Sequence, residues 1–121
     1  IGAQVKFLGI RSDVQDLYNV MDLFVLPSHY EGLPVVGVEA QANGLSCLFS
    51  TAVTRETKLT KNAVFFDLSQ GAERWAEKIV SCTGERNLEV EQEMREAGFD
   101  IDASALKLEH MYEQMSTGGT R

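Results

Sequence analysis

The stretch from residue 31 to residue 39 combines two carboxylates with a glycine and a proline, and these residue types suggest anion binding. Backbone N–H groups in the first turn of a helix have no intrahelical acceptor, and the helix dipole adds partial positive charge there. Glu31 lies just before such a predicted helix, and Gly32 lets a ligand approach the backbone closely. The amides placed to hold an anion such as a diphosphate are those of Gly32, Leu33, Val35 and Val36.

The elements that position these residues are a strand, a tight loop and a helix. The apolar run at residues 23–26 predicts a strand that is buried on both faces, as in a parallel sheet, and Pro27 ends it. Pro34 suits the first position of a helix over residues 35–42, where its missing N–H would have had no partner. In an open α/β sheet, ligands bind in the crevice at the carboxyl ends of strands, where this loop is expected.

The predicted helix carries one ionisable side chain, Glu39, which lies roughly 7 to 8 Å along the helix axis. Because its neighbours are mostly Val, Ala and Gly, we do not expect Glu39 to be a simply solvated charge. It is either a ligand-binding carboxylate or a buried one that pairs with a Lys or Arg. Glu31 likewise either contacts a ligand or merely caps the helix that begins at Pro34.

The residues around both glutamates resemble the Glu-x7-Glu motif of retaining GT-B glycosyltransferases, and most closely that of family four. That family typically has Pro-Ser-x-x-Glu-Gly-x-Gly/Pro-x-x-x-x-Glu-Ala. This chain has Pro27-Ser28-His29-Tyr30-Glu31-Gly32-Leu33-Pro34, followed by Glu39-Ala40. Further matching segments are Val5-Lys6-Phe7-Leu8-Gly9, Leu17-Tyr18, Met21-Asp22 and Asn43-Gly44-Leu45. The resemblance covers roughly residues 4 to 115 and implies a carboxy-terminal, nucleotide-sugar-binding domain.

The resemblance assigns roles to the matching positions only. It implies that Glu39 hydrogen-bonds the ribose hydroxyls of the donor nucleotide, since a carboxylate can accept from two vicinal hydroxyls. It implies that Glu31 acts as the catalytic carboxylate, which lies near the donor sugar and stabilises positive charge in the transition state. The backbone expected to approach the sugar and diphosphate is that of Gly32, Leu33, Pro34 and Val35. Many members have glycine where this chain has Pro34, so one N–H donor is absent here.

The same resemblance implies a nucleotide sugar as donor, either a UDP-sugar or a GDP-sugar. It implies a growing polysaccharide or a lipid-linked acceptor, bound through an amino-terminal domain that this chain lacks. Bacterial exopolysaccharide or capsule synthesis is the expected setting, with the parent enzyme in the cytoplasm or at the inner face of the cell membrane. The family's diphosphate-binding Arg and Lys lie upstream of the aligned segment. The basic residues Arg11, Arg55, Lys58 and Lys61 are not at matching positions.

Metal-independent chemistry is expected, because the resemblance is to GT-B enzymes, which need no metal. No cofactor is expected. Backbone N–H groups and basic side chains would replace the metal in stabilising the departing diphosphate.

Two other classes of function remain open. A nucleotide-sugar epimerase or phosphorylase of the same architecture would share the sheet but use other catalytic residues. A non-catalytic Rossmann-like or flavodoxin-like module, such as a receiver domain, needs an aspartate at the end of its first strand, whereas Asp22 begins a strand. We interpret His29 as a structural or solvated loop residue. Trp75 and Tyr112 are interpreted as core residues rather than sugar-stacking platforms.

The net charge argues against one class of function, and the positions of the cysteines indicate the state of their thiols. The formal net charge of −7 argues against non-specific nucleic-acid binding, which requires a basic surface. No run of about 18 apolar residues and no signal-peptide pattern is visible. Cys47 falls in a predicted buried strand and Cys82 late in a predicted helix, without metal-ligand spacing, so both are expected to be reduced thiols.

The remaining predicted elements alternate between strands and helices. Strands are expected at residues 4–8, 45–50 and 63–68. A helix capped by Ser12 or Asp13 should end near Met21, with Val14, Leu17, Tyr18 and Met21 on its core face. Gly44 should end the central helix. Later helices are expected from residue 69 or 70 to Gly84, over residues 88–97, and after a cap at Asp102.

These elements predict an α/β fold, in which helices flank a Rossmann-like parallel sheet with right-handed crossovers. Four strands are few for such a domain. We therefore interpret residues 1–121 as a single partial domain, the truncated carboxy-terminal half of a GT-B glycosyltransferase, with residues 116–121 as a tail. An unpaired edge at residues 5–8 or 23–26 would tend to recruit another chain, so self-association is expected.

Overall fold

A computed structural model of the chain describes residues 4–98. Its strands are β1 (Phe24–Leu26), β2 (Cys47–Ser50) and β3 (Ala63–Phe66). Its helices are α1 (Val14–Val20), α2 (Val35–Ala42), α3 (Ala72–Cys82) and α4 (Val90–Glu96). Short 3-10 turns lie at Arg55–Thr57 and Leu68–Gln70. The predictions for the Asp102 cap, the last helix with Tyr112, and the tail at 116–121 lie outside the described residues.

The sheet confirms the predicted α/β class. Its three strands are parallel and lie in the order β1-β2-β3, so the chain crosses over between them through α2 and through the polar segment at residues 51–62. Parallel strands buried on both faces read as continuous apolar runs, and the central strand β2 is fully buried. Its neighbours β1 and β3 are mostly half-buried, so the prediction that residues 23–26 are buried on both faces was wrong.

Aromatic side chains fill the sheet's two faces. On one face, Phe49 packs edge-on against Phe24 and lies 5.6 Å from the ring of Phe65. Helix α2 covers this face through Gly37, where an added Cβ would lie 2.8 Å from the Phe49 ring. On the opposite face, the Trp75 ring of α3 packs against Phe66 at 5.6 Å. Trp75 is therefore a core residue, as predicted.

Glycine ends the central helix as the sequence predicts. Gly44 follows α2 with a φ of +83°, and its N–H donates to the carbonyl of Gln41 at 2.8 Å. An L-residue with a side chain is strained in this left-handed conformation. Space is also limiting, because a Cβ on Gly44 would lie 2.8 Å from the carbonyl oxygen of Asn87.

The amino-terminal strand predicted at residues 4–8 does not form. This segment has no regular structure, and the side chain of Phe7 is 97% exposed. A strand needs a hydrogen-bonded neighbour, and within residues 4–98 the outer edge of β1 pairs with no other segment. The apolar pattern of residues 5–8 therefore finds no sheet to join in the described part of the chain.

Two predicted helix starts differ in detail. Asp13 is the N-cap of α1, but its carboxylate accepts two hydrogen bonds from Arg11 at 2.6 Å instead of capping the helix. Pro34 is the N-cap of α2 rather than its first residue, with an extended ψ of 118°. The residue preceding a helix has non-helical dihedral angles, and the fixed φ of proline is compatible with that position as well.

The buried side chain of Gln41 joins α2 to the segment at residues 57–60. Its amide nitrogen donates to the carbonyls of Thr57 at 2.7 Å and Gly37 at 3.1 Å. Its amide oxygen accepts from the backbone N–H groups of Leu59 at 2.9 Å and Thr60 at 3.1 Å. Gln41 is fully buried, so these hydrogen bonds have no competing water at that position.

Replacing Gln41 by leucine should therefore destabilise the fold by about 3 to 5 kcal/mol. The Gln41→Leu variant would leave the buried N–H of Thr60, the part-buried N–H of Leu59 and the carbonyl of Thr57 without these hydrogen bonds, each at a cost near the lower end of about 1 to 3 kcal/mol. Urea unfolding measures the change. The control is Gln92→Leu, which removes one exposed hydrogen bond to Glu96 and should change stability by less than about 0.5 kcal/mol. Equal stability losses in both variants would contradict this role for Gln41.

The unpaired edge of β1 and the exposed apolar side chains of Phe7 and Ile10 should make the 121-residue chain self-associate. Ile10 and Phe7 are both almost fully exposed, and an unpaired strand edge recruits other chains. Sedimentation velocity over rising concentration should show dimers or larger species. Phe7→Lys should reduce their fraction, whereas Leu88→Lys, at a residue equally exposed in another segment, should not. A monomer at every concentration would show that this edge is inert.

Candidate functional site

The loops that follow β1 and β2 meet at the carboxyl end of the sheet, where the sequence places the ligand crevice. The hydroxyl of Ser50 donates to the carbonyl of Ser28, across the ends of the two strands. Further along, Glu31 and Val53 form an isolated parallel bridge, and the N–H of Thr54 donates to the carbonyl of Glu31 at 3.3 Å. These backbone contacts fix the position of Glu31 relative to the sheet.

Glu31 itself is half-buried. The start of α2 has no side-chain cap, so the alternative in which Glu31 merely caps this helix was wrong. Within residues 4–98, the Glu31 carboxylate makes no hydrogen bond. A half-buried carboxylate with its acceptor capacity unused is compatible with a contact to a ligand.

The backbone amides that follow Glu31 fall into two groups. The N–H groups of Gly37 and Val38 donate to the carbonyl of Pro34 at 3.1 and 3.2 Å. The remaining amides are those of Gly32, Leu33, Val35 and Val36. They make no hydrogen bond to another residue within the range 4–98. An added Cβ on Gly32 would meet no atom within 4 Å, so space for a ligand lies next to this glycine.

Glu39 occupies a different environment from Glu31. It is only 3% exposed, and its Oε2 accepts hydrogen bonds from the hydroxyl of Tyr18 and the amide of Gln15, both at 3.2 Å. Both donors belong to α1, so Glu39 joins the first two helices. These partners were not predicted from the sequence. Tyr18 was expected on the core face of α1, and no role was expected for Gln15.

An arginine fixes the far end of α1. Arg86 donates to the carbonyl of Met21 at 2.8 Å and also to the carbonyl of Tyr18. Its other amino group donates to the side chain of Asn43, which follows α2. Because cations near the last carbonyls of a helix are favourable, Arg86 stabilises the end of α1 and ties it to the end of α2. Arg86 thus fixes the carboxyl end of α1, the helix that carries both donors to Glu39.

The cysteines lie apart from this crevice. Cys47 is buried in β2, and burial raises the pKa of its thiol to about 12. Its thiol donates to the carbonyl of Leu45, and both Cys47 and Cys82 are free, as predicted. A thiol with so high a pKa is not a nucleophile at neutral pH. The described residues include no group of three or more His, Cys, Asp or Glu side chains that could hold a metal ion.

A surface groove of about 290 Å³ lies elsewhere, between β3 and α3. Its lining residues are Phe66, Arg74, Glu77, Lys78 and Ser81. Phe66 points to the face that α3 covers, opposite to the face on which α2 packs. The groove is therefore separate from the predicted site. His29 and Arg55 lie in exposed loops, and the Arg55 guanidinium stacks 4.4 Å from the centre of the Phe65 ring.

Comparison with known proteins identifies the family. A family profile described as "Glycosyl transferases group 1" matches residues 1–85 of the chain. The chain belongs to this glycosyltransferase family. The match supports a GT-B enzyme of the family-four type, as the sequence motif predicts, and the parallel sheet with flanking helices agrees with it.

Three curated relatives carry the same family likeness. EpsF of Bacillus subtilis (strain 168), named as a glycosyltransferase, is 35% identical over 114 residues, which is 91% of this chain and 30% of EpsF. The UDP-Gal:alpha-D-GlcNAc-diphosphoundecaprenol alpha-1,3-galactosyltransferase of Escherichia coli is 39% identical over 59 residues, 49% of this chain and 15% of that enzyme. No solved structure gave a significant match.

The third relative also acts on a lipid-linked sugar, according to its name. It is the N,N'-diacetylbacillosaminyl-diphospho-undecaprenol alpha-1,3-N-acetylgalactosaminyltransferase of Campylobacter jejuni, 48% identical over 46 residues, 38% of this chain and 12% of that enzyme. The chain thus spans less than a third of the length of these relatives. Each helix within residues 4–98 falls short of the length and apolar character that a membrane span requires.

Proposed function

We propose that this chain carries the donor-binding part of a retaining glycosyltransferase, which transfers a sugar from a UDP- or GDP-sugar to a polysaccharide or lipid-linked acceptor. The observation that carries the proposal is the loop at residues 31–36. Within residues 4–98, the amides of Gly32, Leu33, Val35 and Val36 make no hydrogen bond, and the loop lies at the carboxyl end of the sheet, where Glu31 pairs with Val53. Family membership makes a nucleotide sugar the natural ligand for this crevice.

The diphosphate of the donor would bind at the open amides. The first-turn amides of Val35 and Val36, with those of Gly32 and Leu33, offer N–H donors, and the dipole of α2 favours negative charge there. When the bond between the sugar and the diphosphate breaks, negative charge collects on the diphosphate. Fixed N–H donors aimed at that charge stabilise the transition state without a metal ion.

The two carboxylates would act on the two other parts of the donor. Positive charge develops on the sugar as the diphosphate departs. The Glu31 carboxylate is the group that would stabilise this charge, and it accepts no hydrogen bond within residues 4–98. Glu39 would accept hydrogen bonds from the ribose hydroxyls. Tyr18 holds the Glu39 carboxylate in one orientation, which reduces the ordering that ligand binding requires.

The acceptor would bind through a second domain of the full-length protein. Two of the relatives are named for transfer to diphosphoundecaprenol-linked sugars. We infer an acceptor of this general kind, a growing polysaccharide or a glycolipid. The full-length protein would then work in the cytoplasm, at the inner face of the cell membrane. EpsF and the lipid-linked sugar transferases support exopolysaccharide-type synthesis as the setting.

One observation favours a second candidate, a non-catalytic module of the same fold. Glu39 is 3% exposed and already hydrogen-bonded, as expected for a structural carboxylate that joins α1 to α2. That alternative gives no role to the amides of Gly32, Leu33, Val35 and Val36, which make no hydrogen bond within residues 4–98. Nucleotide binding by variants of both glutamates distinguishes the two functions.

In the full-length protein, Glu39→Gln should weaken binding of UDP or GDP by about one to two decades. The substitution keeps the shape but replaces one acceptor oxygen with a donor, and hydrogen bonds to a charged group are worth about 1.5 to 3 kcal/mol each. Isothermal titration measures the affinity, and thermal unfolding checks that the variant is folded. Unchanged nucleotide affinity in a folded Glu39→Gln variant would identify Glu39 as a structural carboxylate.

The companion variant Glu31→Gln should lower turnover more than nucleotide affinity. Glu31 would face the sugar, which free UDP and GDP lack, so its loss acts on the transition state and raises the barrier selectively. Steady-state kinetics with the nucleotide sugar, beside the same titrations, measures both effects. A parallel fall in nucleotide affinity for the two variants would assign both losses to stability instead.

The isolated 121-residue chain should show little or no transfer. Transfer depends on holding donor and acceptor together in one geometry, and the chain spans less than a third of its relatives. Its activity is compared with that of the full-length protein at equal concentration, using the same nucleotide sugar and acceptor. Turnover near the full-length rate would show that residues 1–121 suffice for both substrates.

A further inference from the structure

Only 3% of Glu39 is exposed, so the side chains that surround its carboxylate limit the access of a ligand to it. Its Oε2 has two donors from α1 with very different surroundings. Tyr18 is 1% exposed, and its ring packs edge-on against Phe24 in the core. Gln15 is exposed and lies near the start of the same helix. Of these two donors, Gln15 is the one that can leave without disturbing the core.

We propose that Gln15 is a positioning residue of the nucleotide site, whose side-chain amide covers Glu39 in the absence of ligand and is displaced by the donor ribose. This inference rests on the proposed role of Glu39. The Gln15 amide donates to Oε2 at 3.2 Å, the same kind of hydrogen bond that a ribose hydroxyl would donate. The ribose hydroxyl therefore replaces the Gln15 amide as the donor to Oε2, while the hydrogen bond from Tyr18 keeps the carboxylate oriented.

The exchange keeps a buried charge hydrogen-bonded at every stage. A buried carboxylate that loses a donor without replacement bears a large desolvation penalty. With Gln15 closed, Oε2 of Glu39 accepts from Gln15 and Tyr18, and with the nucleotide bound it keeps the hydrogen bond from Tyr18 and gains one from the hydroxyl. The closed arrangement competes with the ligand, because only the fraction of molecules with Gln15 moved aside can bind.

Removing the competing amide should therefore tighten nucleotide binding. In the full-length protein, Gln15→Met keeps the length and helix propensity of the side chain but removes its N–H donor. We expect UDP or GDP, whichever binds the parent, to bind about three- to tenfold more tightly to this variant. The matched control is Gln92→Met, which removes an exposed Gln–Glu hydrogen bond in α4 and should leave nucleotide affinity unchanged.

A double-mutant cycle tests whether Gln15 acts through Glu39. In the Glu39→Gln background, Gln15→Met should change affinity less than twofold, because the carboxylate that it covers is gone. Thermal unfolding of all variants, with Gln92→Met as reference, identifies effects that come from stability alone.

The outcomes separate this inference from the proposed function. If Glu39→Gln loses its expected one to two decades of affinity but Gln15→Met binds nucleotide equally or more weakly, the ribose assignment stands and the covering role of Gln15 is wrong. If the two substitutions act additively in the cycle, Gln15 does not work through Glu39 and the inference is again overturned. If Glu39→Gln binds as tightly as the parent, both fail.

Discussion

The burial of the Glu39 carboxylate between α1 and α2 is the constraint on which the rest of the site depends. A buried carboxylate needs hydrogen-bond donors, and α1 provides them through Tyr18 and Gln15. This need fixes the position of α1 along α2. Arg86 then completes the arrangement by binding the last carbonyls of α1 and the side chain of Asn43 after α2. The polar contacts between α1 and α2 thus involve the buried Glu39 carboxylate at one end and the last carbonyls of α1 at the other. Both kinds of group need hydrogen-bond partners.

Helix α2 is held from two sides while its amino-terminal turn stays open. Positions 39 and 41 are two residues apart, so they point to nearly opposite sides of a helix with 3.6 residues per turn. Glu39 faces α1, and Gln41 faces the segment at residues 57–60. That segment continues from the loop that pairs with the Glu31 backbone. The same contacts that stabilise α2 therefore position both walls of the crevice, whereas within residues 4–98 no hydrogen bond uses the amides of Val35 and Val36 at the start of α2.

The local pattern of the sequence was enough to predict the central elements but not the contacts that make the site. The apolar run in β2, the helix from residue 35 and the left-handed Gly44 follow from residue types within a few positions of each other. The hydrogen bonds of Glu39 to Gln15 and Tyr18, and of Gln41 to Thr57, join residues 16 to 24 positions apart in sequence, and no local pattern contains that information. The strand expected at residues 4–8 failed for a related reason. Its apolar residues satisfy the pattern of a strand, but pairing depends on a neighbour outside the segment.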